Sequence, residues 1–324
     1  MGLSLSEQAV GTGFDGVLII DKPSGWTSHD VVAKVRRLLG IQKVGHTGTL
    51  DPSATGVLVL CLGKATRIAE YLVLADKAYR ATLRLGVTTD TQDAAGAILS
   101  RHEGPYPEDH TIRSVMQACV GITRQVPPMY SAVKVDGVPL YKSARAGRTV
   151  ARSSRPCVIH DIRIVSFVRT PMVDVVFDVV CSKGTYIRTL CADIGETLSV
   201  GGHLASLERR RVGRFGIEQA LSLEEFADVV ARNDVHSHLL SLGEALSELP
   251  AFVLDPICSE SARHGTGFSG AGILNTEGQW IVGSPIRVHG ADGRLIAIAT
   301  APWGSEDRKG ADSTAVVKIA KVLV

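Results

Sequence analysis

The residues most able to do chemistry lie in one short stretch, Gly45-His46-Thr47-Gly48-Thr49-Leu50-Asp51-Pro52-Ser53-Ala54-Thr55-Gly56. It gathers a carboxylate, an imidazole, several hydroxyls and three glycines, and glycine lets backbone come close to a ligand. A phosphate loop is the first chemistry to test. That motif needs four residues between its glycines and then Gly-Lys-Ser/Thr. Here six residues separate Gly56 from Gly63, and Ala65 follows Lys64, so triphosphate binding is excluded. Asp51 is left as the reactive candidate. An aspartate before proline is commonly a turn former whose carboxylate bonds local backbone, and spacing alone leaves turn former and nucleophile both open. His46 has no partner at zinc-ligand spacing, which argues against a metal site.

A second chemistry is written in the cations. Lys142, Arg145, Arg148, Arg152 and Arg155 occur in a stretch without acids, and Arg209, Arg210, Arg211 and Arg214 cluster later. Either run could be a solvated surface or a track for a phosphate backbone, and the absence of interleaved acids favours the phosphate track. Over the whole chain, 35 Lys and Arg stand against 33 Asp and Glu, a net charge of +2. Any nucleic-acid surface must therefore be local.

Behind these residues stands a chain of 324 residues, 45% hydrophobic, long enough for two domains and a large core. Cys61, Cys119, Cys157, Cys181, Cys191 and Cys258 show no CxxC spacing and read as free thiols in a reducing cytoplasm. Apolar runs such as Val57 to Leu62 are too short to cross a bilayer, and the N-terminus has no basic segment followed by an apolar one. A soluble cytoplasmic protein, off the membrane, is expected.

The elements that must position the loop follow from periodicity. Residues 1–15 read as a loose lead-in before a strand at Gly16 to Ile20. Ser28 or Thr27 caps a helix whose apolar face holds Val31, Val32, Val35, Leu38 and Leu39, ended by Gly40. Strands are expected at Val57 to Leu62, Tyr79 to Leu85 and Val173 to Val180, a strand or strand-to-helix segment at Thr185 to Leu190, and acidic helix from Ser222 to Leu249. After Pro250 short apolar runs at Gly270 to Leu274, Trp280 to Val282, Ile286 to Val288 and Leu295 to Ala299 suggest a small β-barrel. The expected division is residues 16–249 and 250–324, with an insertion at about 124–155.

The stretch Leu18 to Asp30 (Leu-Ile-Ile-Asp-Lys-Pro-Ser-Gly-Trp-Thr-Ser-His-Asp), followed by Gly45 to Pro52, closely resembles the two opening motifs of TruB-type pseudouridine synthases. The resemblance continues through Asp76 to Arg80, Leu85 to Asp93, Gln125 to Lys134, Cys181 to Leu190 and Gly202 to Arg210, and so spans roughly residues 16 to 215. It implies an α+β pseudouridine synthase fold, a mainly antiparallel mixed sheet flanked by helices, with a C-terminal PUA-like β-barrel. It further implies isomerisation of a uridine in the T loop of tRNA by a cytoplasmic monomer, with no cofactor, metal or obligatory protein partner.

The resemblance gives Asp51 the role of essential carboxylate, Arg188 that of its partner and Tyr79 that of the active-site tyrosine. Tyr186 and Leu207 correspond to walls of the base pocket, His46 to a contact with the opened T loop, and Lys22 to a lysine supporting the catalytic loop, counted among the substrate-binding residues. Lys142, Arg145, Arg148 and Arg152 fall where the family carries a mobile insertion that closes over RNA, and Arg209 is assigned with them to the RNA backbone. Three rivals remain: a guide-RNA-dependent relative, an RNA-binding or tRNA-folding protein whose catalysis is incidental, and a glycoside hydrolase. The hydrolase would want a second carboxylate, and the motifs mark none.

Overall fold

The computed structural model describes residues 13–131, 133–135, 137–306 and 315–324, without the side chains of residues 134, 141 and 145. Most of the expected lead-in, residues 1–12, lies outside the described residues. Its last residue is tied down, because the Asp15 carboxylate accepts from the Lys64 backbone N–H at 2.6 Å.

Nine strands form the main sheet. Its order is Gly16–Lys22, Thr55–Leu62, Gly202–Val212, Lys77–Leu85, Met172–Cys181, Arg155–Thr170 and Gly121–Gln125, with Val44–His46 paired to the second and Phe215–Gly216 to the third. All pairings are antiparallel except one, the parallel contact of Glu208 with Thr55 and Arg209 with Gly56. Leu18, Ile20, Leu58 and Leu60 face the helices Ser28–Leu39 and Leu223–Ala231. Val17, Ile19, Val57 and Val59 are buried on the opposite face. Burial on both faces explains why these two strands read as unbroken apolar runs rather than alternating ones. A second core, around Leu83, Val175 and Phe177, receives the helices Asp109–Ala118 and Ile187–Thr197 through Ile112, Met116 and Ile194.

The first helix forms as its residues dictate. Thr27 caps it, its hydroxyl accepting from the Asp30 N–H while Asp30 accepts from the Thr27 N–H, and Gly40 ends it at φ 65°. Of two other expected segments, one takes its strand-to-helix form and one breaks up. Thr185 to Leu190 runs into the helix Ile187–Thr197, and Ser222 to Leu249 breaks into helix Leu223–Ala231, a short turn Val235–His238 and helix Leu242–Ala245, each helix restarted by its own serine capping box.

The C-terminal half-barrel is a six-stranded sheet ordered Phe268–Ser269, Val316–Val322, Leu295–Thr300, Pro285–His289, Ala251–Leu254 and Ile273–Glu277. Trp280 to Val282 is a loop rather than a strand: Ile281 and Val282 are exposed, and only the Trp280 ring packs inward against Phe252. Ile298 and Leu323 join the core beneath the first strands, so the two sheets share apolar surface.

Candidate active site

Residues 47–54 carry no regular structure, yet their backbone is bonded from three directions. Ser28, in the first turn of its helix, accepts from the Leu50 N–H at 2.9 Å and donates to the Leu50 carbonyl at 3.3 Å. Lys22 is fully buried, and its ammonium donates to the carbonyls of Trp26 (2.7 Å), Pro23 (2.9 Å) and Pro52 (3.2 Å). Burial pulls its pKa down to about 8, with the Asp51 charge opposing. Lys22 therefore grips the loop next to Asp51; its donors are spent on backbone, which corrects its assignment to substrate binding.

On the other side Arg209 donates to Val57 O at 2.7 Å, Gly48 O at 3.0 Å and Thr49 O at 3.5 Å. It is 2% exposed. The expectation that it tracks an RNA backbone is overturned, because a guanidinium so enclosed cannot reach a phosphate. Its strand approaches the loop so closely that only glycine fits opposite: Gly56 has φ 98°, and a Cβ there would lie 2.3 Å from the Arg209 carbonyl oxygen.

Held in this way, Asp51 meets Arg188 from the start of the helix Ile187–Thr197. Arg188 Nε lies 3.0 Å from Oδ2 and Nη2 lies 3.3 Å from Oδ1, a two-pronged pair. The arginine side chain is 6% exposed, whereas the aspartate is 36% exposed, so the carboxylate faces outward from a buried cation. The same guanidinium donates to Tyr130 O at 2.7 Å and Thr91 O at 3.3 Å, and stands 3.9 Å from the Asp93 carboxylate. Burial pushes the Asp51 carboxyl up from its ordinary value, Arg188 opposes this, Asp93 adds to it and Lys22 opposes it.

Leu207 lines a shallow recess in front of Asp51 together with Ser53, Ala54, Asp93, Ala94 and Leu204. Tyr79 is half-buried beside it in the sheet, opposite Arg209, and burial raises its hydroxyl pKa while Arg209 lowers it. Tyr186 immediately precedes the Arg188 helix, and its backbone is clamped by Gln125, which accepts from its N–H at 2.9 Å and donates to its carbonyl at 3.2 Å. His46 ends the short strand Val44–His46 that leads into the loop. Burial lowers its pKa, and Gly48 N–H donates to Nδ1 at 3.4 Å, which leaves the imidazole proton on Nε2.

In the insertion, Lys142 and Arg148 are exposed, Arg152 is half-buried and donates to Pro127 O at 3.0 Å, and the Arg145 side chain lies outside the described residues. Residues that sequence reasoning passed over are Asp93 and Gln125, while Ser28 was weighed only as a helix cap. Both stood inside quoted motifs, but nothing in their spacing announced contact with Arg188, 95 positions from Asp93, or with Tyr186, 61 positions from Gln125. Among the described residues no group of His, Cys, Asp and Glu could hold a metal ion, and no helix is long and apolar enough to cross a membrane.

Solved structures of Cbf5 pseudouridine synthases carry the same architecture. The Cbf5 chain of a Cbf5-Nop10-Gar1 complex superposes with a TM-score of 0.77 at 29% identity over 95% of this chain and 85% of that one. An archaeal box H/ACA Nop10-Cbf5 complex gives 0.74 at 27% identity, over 95% and 86%. The fold is thus that of a pseudouridine synthase, α+β with a C-terminal half-barrel. Residues 36–187 match the TruB family pseudouridylate synthase N-terminal domain, and residues 188–251 match the tRNA pseudouridylate synthase B C-terminal domain. The tRNA pseudouridine synthase B of Thermobifida fusca is 43% identical over 94% of this chain and 98% of its own length. That of Syntrophotalea carbinolica is 49% identical over 75% and 78%. The chain belongs to the TruB family.

Proposed function

We propose that this chain isomerises uridine to pseudouridine in tRNA, at position 55 of the T loop, with Asp51 as the essential carboxylate. The observation that carries this reading is the two-pronged Arg188–Asp51 pair, whose exposed member faces a recess walled by Leu207. The curated relatives' names, tRNA pseudouridine synthase B, favour tRNA as the substrate.

The reaction breaks the N1–C1′ bond, turns the uracil, joins C5 to C1′ and transfers the C5 proton to solvent, while N1 gains a proton. No electrons are exchanged with a cofactor. Positive charge develops on the ribose as the bond breaks, so an ionised carboxylate works there either by attacking C1′ or by taking a proton from C2′. Arg188 holds Asp51 ionised and aimed, countering the burial that favours the neutral acid. Tyr79 stacks on the freed base with its hydroxyl near C5, Tyr186 and Leu207 confine it, and His46 contacts the opened loop. The target base must leave its stack to reach the recess. Exposed Lys142 and Arg148, with Arg145 and Arg152, contact the phosphate backbone of the T arm. The catalytic unit is residues 16–249, and the module 250–324 extends contact along the tRNA.

Tritium release from tRNA labelled at uridine C5 tests this. Release by the wild type on intact tRNA, and none on a transcript lacking the T-loop uridine, is expected. Tight binding without release would replace the enzyme by an RNA-binding protein.

A further inference from the structure

The chemistry above assigns no task to the buried Arg209. Enclosing a guanidinium is costly unless its donors are engaged; no carboxylate acts on the Arg209 charge, Tyr79 favours it, and Lys22, His46 and Lys77 feel the same charge. The Arg209 donors go to Gly48 O, Thr49 O and Val57 O, carbonyls on both sides of Asp51 in the chain. Its guanidinium also meets the Tyr79 hydroxyl. Arg209 and Tyr79 face each other as direct partners in the antiparallel ladder, while Arg209 and Gly56 are partners in the parallel one. One residue thus stands where the Asp51 loop, the Tyr79 strand and its own strand converge.

We propose that Arg209 is a positioning residue that ties the Asp51 loop and the Tyr79 hydroxyl into one rigid unit. The carboxylate working at the ribose and the hydroxyl working near C5 then keep a fixed separation while the base, momentarily unattached, turns between them. A planar guanidinium suits this task because its fork of donors serves several acceptors in fixed directions, whereas an ammonium is a single point of charge. The inference rests on the pseudouridine synthase reading and adds the residue that sets its geometry.

The test is a double-mutant cycle. Single-turnover pseudouridine formation on tRNA is measured for wild type, Arg209→Lys, Tyr79→Phe and the double variant, with tRNA affinity and melting temperature alongside. Arg209→Lys is expected to slow the wild-type reaction about 30-fold or more, leaving tRNA affinity within about twofold, but to cost less than about threefold in the Tyr79→Phe background. Equal losses in both backgrounds would overturn the inference, since Arg209 would then act through the loop alone. Loss of affinity and melting temperature in step with rate would also overturn it. Should lysine not be accommodated, Arg209→Gln, which keeps an amide donor without charge, makes the same comparison. A wild type that binds tRNA without turnover sinks the functional reading instead, so the two failures are distinguishable.

Discussion

The Asp51 loop has no regular structure, whereas the basic insertion carries a short two-stranded ladder and the helix Leu140–Arg145, and the two use their cations in opposite ways. Around the loop, Lys22 and Arg209 are withdrawn from solvent and spend their donors on backbone carbonyls. In the insertion, Lys142 and Arg148 stand in solvent, and Arg152 holds a single carbonyl, that of Pro127. Buried cations fix geometry, because each lost bond leaves a desolvated group unpaired; exposed cations supply long-range attraction that salt screens. Which role a cation plays follows from its enclosure rather than from its place in a basic run.

The sharpest way to break the comparison is at the carboxylate itself. Asp51→Asn is expected to lower turnover by roughly four orders of magnitude while tRNA affinity stays within about threefold, because shape is retained and charge is lost; a matching loss of affinity in a filter-binding assay would count against the assignment. Next, Gly56→Ala attacks the fixed region without touching a functional group. With φ at 98° and the Arg209 carbonyl in the way, it is expected to cost about 3 kcal/mol or more in denaturant unfolding, and near-wild-type stability would show that the strands can separate freely.

Neutralising Lys142, Arg148 and Arg152 together probes the other region. Affinity for tRNA is expected to fall about tenfold, and the slope of log affinity against log salt to shrink by about two to three. Melting temperature should hold, and an unchanged salt slope would remove these residues from the RNA surface.

The smallest effect concerns Lys77, a buried lysine whose ammonium donates to Val73 O and Ala75 O and whose pKa burial lowers to about 8. Its folded value lies below its unfolded value of 10.5, so above pH 8 the unfolded chain binds the proton more tightly. Its contribution to stability therefore grows as pH rises from about 8 toward 10.5. Unfolding of wild type against Lys77→Met should shift in favour of wild type by about 1–2 kcal/mol between about pH 8 and pH 9.5. A constant difference would refute the depressed value.

The legible parts of the sequence were those governed by local physics. Capping by Thr27, the αL end at Gly40 and the apolar stripe between them defined the first helix. Asp51 and Arg188 were legible only through motif resemblance, since 137 residues separate them. Arg209 was misread for a physical reason: consecutive residues of a strand point to opposite faces, so three successive arginines cannot all meet solvent. Arg209 turns inward, exposed Arg210 pairs with Glu208, and Arg211 bonds Gly213 O. Thr185 to Leu190 read as strand or strand-to-helix because its β-branched and aromatic residues suit a sheet; Tyr186 is extended and the helix begins at Ile187.

The single parallel pairing of the main sheet, which brings Arg209 against Gly56, bears on when the site comes into being during synthesis. The bonds from Arg209 to Gly48 and from Arg188 to Asp51 span 161 and 137 residues. Closing such long loops is slow, and domains form from the N-terminal side as the chain emerges. The first strands and the Ser28–Leu39 helix can assemble early, with Lys22 and Ser28 already gripping the loop, but Asp51 lacks Arg188 and the Arg209 bonds until the ribosome has delivered residue 209 and more. A nascent chain that stops short of residue 209 therefore lacks both arginine contacts, and competence arrives as one late event.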